Sequence, residues 1–264
     1  MDKAEIIALF DRYERQQAEY PGMQREVTPA VIRHLAASPS AEGMIVYSQL
    51  SEANADDVIR EQIRYFEGIG QDFEWKTYDY DQPADLKERL RAHGFRVEEA
   101  ESIVVLDLQH APESLWQPVT HSIERITDPA RLVDIQHIEA TVWNEDASWV
   151  VDYLGSALRD FADQMSIYTA YVDGQPASAA WIYFPPANSD SPFASLWGGS
   201  TISTYRKQGL YTGLLAVRAQ EARARGFQYL TVDASPMSRP ILEKFGFERI
   251  ATSWPCKREV QLKS

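Results

Sequence analysis

Arg206, Lys207 and Gly209 are placed to hold an anion. They close a polar turn, Ser203-Thr204-Tyr205-Arg206-Lys207-Gln208-Gly209, which leaves an apolar strand with a double glycine, Gly198-Gly199, and opens straight into a helix. The start of a helix exposes N–H groups that have no acceptor within the helix, and it carries the positive end of the dipole. Two cationic side chains beside such a cluster suit a phosphate. Gly209 lacks a Cβ, so a ligand oxygen can approach its backbone, and the amides from about Lys207 to Gly213 can converge on a diphosphate. The run contains neither GxxxxGK[ST] nor GxGxxG, which disfavours ATP and NAD as the ligand.

The elements that must position this turn alternate between strand and helix. His121–Thr127 reads as a strand. Asp128 caps a helix that runs to about Trp143 with Leu132, Val133, Ile135 and Ile138, and a second helix covers roughly Ser148–Phe161. Strands at Ile167–Val172 and Ala177–Phe184 flank the hairpin signal Asp173-Gly174. The strand Phe193–Ile202 leads to the anion turn and the helix Gly209–Arg225, stopped by Gly226. A strand at Tyr229–Ala234, a short helix at Met237–Phe245 and a strand start at Phe247–Thr252 follow. The first half repeats the end of this order: strand Met44–Leu50, helix Asp56–Gly68, strand Phe73–Tyr80, helix Pro83–His93, a Gly-Phe stop at Gly94-Phe95, and an extended run at Ser102–Leu108. Matching order and spacing point to a tandem copy of one fold. The copies differ at the turn: Ser51-Glu52-Ala53-Asn54-Ala55-Asp56-Asp57 has three carboxylates and no glycine, so it repels a phosphate. A break between the halves is expected near Gln109–Thr120.

Composition narrows the function classes. Net charge is −13 over 264 residues, with 12 Lys/Arg and 23 Asp/Glu in residues 1–118 and near balance thereafter. An acidic body repels nucleic acid and anionic membranes and tolerates a cationic substrate. No apolar run reaches spanning length, and the N-terminus reads as an amphipathic helix rather than a signal peptide, so a cytoplasmic location is expected. Cys256 is the only cysteine, and His34, His93, His110, His121 and His137 have no metal-ligand spacing, so no metal is expected.

The string Tyr205-Arg206-Lys207-Gln208-Gly209-Leu210-Tyr211-Thr212-Gly213 resembles the acyl-CoA-binding signature of the GNAT N-acetyltransferase superfamily, Arg/Gln-x-x-Gly-x-Gly/Ala, with Tyr211 in place of the last small residue. Residues 232–247 resemble the second conserved block of that superfamily. The resemblance implies an α/β (α+β) fold of two GNAT-like domains, 1–115 without a cofactor loop and 116–264 with one, each a mixed, mostly antiparallel sheet flanked by helices. It implies transfer of acetyl from acetyl-CoA to the amine of a small molecule, with a homodimer left open. The cofactor would contact Thr201, Ile202, Arg206, Lys207, Gln208, Gly209, Leu210, Tyr211, Thr212 and Gly213, and a backbone N–H near Thr201 or Ile202 would polarise the thioester. Many members carry a tyrosine acid where this chain has Leu242, so the acid must be found elsewhere, with Tyr211 and Ser235 as candidates. Glu145 or Asp146 could take the amine proton, although Asp146 also suits a helix cap, and Asp233 is a third choice. The missing tyrosine leaves a second reading, a non-catalytic acyl-CoA-binding or regulatory protein. Transfer from tRNA would ask for a basic groove that the charge argues against.

Overall fold

The computed structural model describes residues 2–37 and 41–260. In chain order the helices are α1 (Lys3–Phe10), α2 (Ala55–Ile69), α3 (Leu86–Ala92), α4 (Leu132–Trp143), α5 (Ser148–Asp160), α6 (Leu210–Ala224) and α7 (Arg239–Glu243). The strands of the first half are β1 (Met23–Val27), β2 (Val31–Ala36), β3 (Gly43–Ser48), β4 (Phe73–Tyr78), β5 (Arg96–Val97) and β6 (Glu101–Asp107). Those of the second half are β7 (Ser122–Ile126), β8 (Met165–Val172), β9 (Gln175–Tyr183), β10 (Phe193–Thr201), β11 (Tyr229–Ala234) and β12 (Glu248–Arg258). The result is a mixed α/β fold, mostly antiparallel, with helices on the sheet faces. None of the described helices is long and apolar enough to cross a membrane.

The chain forms two compact units. The first holds the described residues up to Val104, Asp233–Ile241 and those from Glu248 onward; the second holds Val105–Val232 and Leu242–Phe247. In the first unit β1, β2 and β3 are antiparallel neighbours, β3 runs parallel to β4, and β12 pairs antiparallel with β4 and β5. The last strand of the chain therefore completes the sheet of the first unit. Its core gathers Ile45, Ile59, Trp75, Leu90 and Phe95, with Phe66 stacked on Phe73 at 4.0 Å. On α2 the stripe Val58, Ile59, Ile63, Phe66 has helical spacing, and Gly70 ends the helix in the left-handed region.

The hairpin of β1 and β2 is not signalled by the sequence, because Pro29 sits in its turn and β1 alternates weakly. Thr28 holds that turn: its Oγ1 accepts from the Val31 N–H at 3.0 Å and its N–H donates to the Val31 carbonyl at 2.9 Å. The helix expected at Pro83–His93 starts only at Leu86.

In the second unit β7, β8, β9 and β10 form an antiparallel run, and β10 turns parallel to β11. The two sheet faces carry different helices. On one face Ile135, Ile138, Val150 and Leu154 of α4 and α5 bury Ile167, Ala179 and Trp181. On the other, Leu210 and Leu214 of α6 bury Ala170, Ala177 and Ala180. Asp128 caps the start of this helical layer, accepting from the Ala130 N–H at 2.9 Å, and Asp173 and Gly174 turn the β8–β9 hairpin with positive φ.

Candidate functional site

β10 and β11 form a fork. They pair in parallel over Phe193–Ser195 against Tyr229–Thr231, and β10 then continues for six residues held on its other side by β9. Its register with β9 slips between Gly198 and Ser200, so β10 is bulged there and bends. The glycines permit the bulge. Gly198 has φ +65, and a Cβ on it would lie 2.5 Å from Trp181 Cζ3. The double glycine thus serves two ends at once, a bulge in β10 and room for the Trp181 ring. At the last rung of the fork Thr231 Oγ1 is buried and has no hydrogen-bond partner, so a polar group lying in the fork would find a partner there.

The turn expected to hold an anion stands at the end of β10. Ser203–Tyr205 make a single tight turn, Lys207 has φ +64 and Gly209 has φ +82, and α6 opens at Leu210. Among the described residues, the N–H groups of residues 207–212 donate to no protein acceptor; the first amide of the helix to do so is Gly213, to the Gly209 carbonyl at 2.8 Å. Six successive amides, the dipole of a 15-residue helix, and the exposed Lys207 and Arg206 form a cradle whose donors and charge suit an anion. Arg206 is anchored by its Nε, which donates to the Thr201 carbonyl at 3.2 Å.

Packing gives a further reason for Gly209. A Cβ there would meet the His121 ring, with Cε1 at 3.0 Å, and Gly213 faces the same ring, with Nδ1 at 3.2 Å. His121 Nε2 lies 2.8 Å from the Gln208 carbonyl and, as a donor, fixes that peptide. The histidine is a backing plate for the turn. Ile202 also departs from its expected part. Its N–H donates to the Ala177 carbonyl at 3.0 Å and its side chain is buried with α4 and α5, so this amide is not an oxyanion donor. Thr201 shares a hydrogen bond with Ser178 at 2.7 Å. Thr212 Oγ1 donates to the Gly209 carbonyl at 2.8 Å, while Leu210 is core.

The residues expected to move protons are divided between the two units. The Tyr211 ring packs under the β10 bulge, with Cε2 at 3.2 Å from where a Gly199 Cβ would stand, and its hydroxyl has no protein partner among the described residues. Burial raises its pKa above 10, with the Arg218 cation pulling the other way, so it carries its proton at neutral pH. Ser235 belongs to the first unit and closes its own turn, accepting from the Ser238 N–H at 3.3 Å. Asp233, also in the first unit, is bound by Lys76, which Glu101 holds at 2.9 Å. Asp146 accepts from the Ser148 N–H at 2.8 Å and so caps α5. Glu145 and His137 are exposed. Leu242 is fully buried.

Glu139 is the carboxylate that sequence reasoning passed over. It sits on the apolar stripe of α4 with Leu132, Ile135 and Ile138 and is 5 % exposed. Oε2 accepts from the Trp143 indole at 2.9 Å, and Oε1 has no partner. Burial raises its pKa, the Ser200 hydroxyl of β10 and the Trp143 N–H lower it, and Glu145 raises it further. A carboxylate at apolar helical spacing was the available signal. Arg218 gives the same signal on α6: it is 2 % exposed and pairs with no carboxylate among the described residues. It donates to the carbonyls of Leu214 at 2.9 Å, Trp181 at 3.1 Å and Trp197 at 3.3 Å, and burial lowers its pKa to about 10.

Residues 130–247 match the family model of the acetyltransferase (GNAT) family. Over that segment, somewhat less than half of the chain, the sequence is similar to the GNAT family. Solved GNAT structures share its fold well beyond the segment. The GCN5-related N-acetyltransferase from Kribbella flavida superposes with a TM-score of 0.66 at 14% identity, covering 97% of this chain and 93% of that one. A tandem GNAT protein from the clavulanic acid biosynthesis pathway gives 0.62 at 12% identity, over 94% of this chain and 86% of its own. A functionally unknown conserved protein from Staphylococcus epidermidis gives 0.67 at 13% identity, over 92% and 96%. One curated protein, EEF1A lysine methyltransferase 1 of Bos taurus, is 36% identical over 85 residues, which are 31% of this chain and 34% of that protein. The chain thus spans about a third of the length of the curated relative it matches. The GNAT segment begins just before α4 and ends at Phe247, so it contains the fork, the turn and Glu139.

Proposed function

We propose that the second unit is an acyl-CoA-dependent N-acyltransferase that moves acetyl from acetyl-CoA to the amine of a small molecule by direct attack. The observation that carries this reading is the run of unpaired amides at residues 207–212, at the mouth of a strand fork whose last rung holds an orphaned hydroxyl. The diphosphate would rest on those amides beside Lys207 and Arg206, and the acyl arm would extend along β10 towards the bulge. In the reaction the amine nitrogen bonds to the carbonyl carbon as the carbon–sulfur bond breaks. Glu139 takes the first proton of the ammonium, Tyr211 gives its proton to the departing sulfur, and the second proton shed by the acylated nitrogen returns Tyr211 to its neutral form. Positioning supplies much of the rate in such a transfer. A net charge of −13 favours a cationic small molecule over nucleic acid as partner, and the cytoplasm is the location this reading implies.

Titration calorimetry with acetyl-CoA, followed by thiol release over a panel of amines, tests the reading. One-site binding and turnover of at least one amine are expected; failure to bind acetyl-CoA overturns it. Because the base must be deprotonated, kcat/KM falls as pH drops through the raised pKa of Glu139, above the ordinary glutamate value of 4.5. In Glu139→Gln that acid limb disappears along with most of kcat. A limb unchanged in this variant removes Glu139 from the mechanism. The burial of Leu242 at the position where many family members carry an acid favours a second reading, a binding protein without turnover. Tight binding with no acceptor in the panel would support it.

A further inference from the structure

Two polar side chains of α6 reach the same stretch of β10. Tyr211 and Arg218 are seven residues apart, two turns, so they share one face of the helix. Tyr211 Cε2 lies 3.2 Å from where a Gly199 Cβ would stand, and Arg218 Nη1 donates to the Trp197 carbonyl at 3.3 Å. Their roots are about 10 Å apart along the helix, whereas their contacts on β10 are two residues apart, about 7 Å. The two side chains therefore lean together across the bulge that Gly198 permits.

Arg218 braces that bulge. Its Nη1 also donates to the Trp181 carbonyl of β9 at 3.1 Å, and its Nε ties the group to the Leu214 carbonyl of α6 at 2.9 Å. One guanidinium thus joins α6, β9 and β10 just before the ladder slips. Burial and the Arg218 cation are what act on the Tyr211 hydroxyl, which has no protein partner among the described residues. Arg218 in turn is acted on by burial, Tyr211 and Tyr168, and the Tyr168 hydroxyl donates to Glu221 at 2.7 Å. β9 and β10 turn carbonyls towards the cation, not charges.

The proton transfer calls for such a neighbour. As Tyr211 gives its proton to the sulfur, its O–H bond breaks, an S–H bond forms, and a half-buried phenolate remains until the second proton of the nitrogen arrives. A thiol ionises at about 8.5, and burial alone would hold a tyrosine hydroxyl far above that, a poor match for the transfer. A cation beside the phenolate reduces the mismatch.

We propose that Arg218 is a positioning residue for Tyr211: it pins the β10 segment on which the Tyr211 ring rests and supplies the countercharge for its phenolate. The part played in turnover rests on the transferase reading; the coupling of the two side chains does not. Fluorine NMR on the full chain labelled with fluorotyrosine tests the coupling, and the signal lost in Tyr211→Phe belongs to Tyr211. In Arg218→Gln, which keeps a donor for the carbonyls, that signal is expected to titrate about one pH unit higher than in the parent, because a removed cation makes the phenolate harder to form. In Arg218→Lys, which keeps the charge, it moves much less. If Arg218→Gln does not fold, Arg218→Met takes its place, since apolar groups often replace buried charges without loss of stability. A Tyr211 titration unmoved in the neutral variant, or moved as far in Arg218→Lys, overturns the proposal. With acetyl-CoA and the best amine of the panel, kcat of the neutral variant should fall about tenfold while acetyl-CoA affinity stays within about threefold, and Arg218→Lys should recover part of the loss. An unchanged kcat also overturns the proposal. Absence of turnover in the parent chain, with the titration shift intact, strikes the transferase reading alone.

Discussion

The chain builds the same parallel strand pair with a crossover helix twice, and fills the two forks differently. In β3–α2–β4 the strands pair over Gly43–Ile45 against Phe73–Trp75, and β3 then bulges at Val46, where its register with β2 slips. In β10–α6–β11 the pairing is equally short and the bulge falls at Gly199. In the first unit the fork is closed by Arg15, which is 1 % exposed. Its Nε donates to the bulged Val46 carbonyl at 3.0 Å, its guanidinium lies 4.0 Å from the centre of the Tyr78 ring, and Asp81 at 2.8 Å and Asp11 at 2.6 Å neutralise it. Burial works against the charge, but Asp81 first among its partners raises its pKa above the ordinary value. In the second unit the buried cation is Arg218, which comes from the crossover helix, pairs with carbonyls and meets no carboxylate among the described residues. Its charge faces the carbonyls of β9 and β10 with no carboxylate among the described residues to cancel it.

The helix starts differ in the same sense. At α2 the Asn54 and Ala55 amides both donate to the Ser51 carbonyl, at 3.3 and 3.1 Å, and Asn54 Oδ1 accepts from the Ser51 N–H at 2.7 Å. Asp56 and Asp57 fill the first turn, and Asp56 is held by Arg89 and His93. One fork therefore resembles a sealed copy of the other, with its own side chains in the places of a ligand.

The largest expected effect breaks the open fork. Gly209→Glu places a side chain at φ +82 against His121 and adds negative charge to the cradle. Acetyl-CoA affinity should fall by more than about a hundredfold, since a like charge and a strained turn act together. If the first unit also held the cofactor, calorimetry would still show one site in this variant, and the contrast between the forks would fail. The expected count is one site in the parent chain and none in Gly209→Glu, with melting curves confirming that both are folded.

Much of this contrast could be read from the residues. The cations and glycine at 206–209 against the acids at 52–57 told the two helix starts apart before any packing was known. Periodicity gave the crossover helices, because α2 and α6 must bury a stripe against their sheets. The fork of the first unit could not be read. Arg15 reaches Asp81 across 66 residues, and nothing local marks a cationic residue near the N-terminus as the filling of a distant cleft. Glu139 was hidden similarly: a carboxylate on an apolar stripe is visible, but its unpaired oxygen appears only once Trp143 and β10 are in place. The positions of Ser235 and β12 depend on pairing at long range, which sequence order does not reveal.

The next effect sharpens the comparison from the sealed side. Arg15→Met leaves Asp81 buried without its cation, and breaking a buried pair in this way costs about 3–5 kcal/mol. Denaturant unfolding should show the loss, while acetyl-CoA affinity stays at the parent value because the cradle lies in the second unit. A second acetyl-CoA site in Arg15→Met would mean that the first fork is plugged rather than lost. A fall in acetyl-CoA affinity matching the fall in stability would contradict the separation of roles.

The smallest effect isolates the backing of the turn. At the first unit's helix start His93 binds a side chain, Asp56, whereas His121 touches the cradle through its backbone, at Gly209, Gly213 and the Gln208 carbonyl. His121→Ala removes one hydrogen bond and a packed ring without altering the unpaired amides. The loss expected in acetyl-CoA affinity is about three- to tenfold, the equivalent of one net hydrogen bond. His121→Gln, which keeps a donor, should recover part of it. Because the positive φ at Gly209 is also required by the ring, Gly209→Ala should do less harm in the His121→Ala background than alone. Strict additivity of the two substitutions, measured as a double-mutant cycle on acetyl-CoA binding, would show that His121 does not shape the turn.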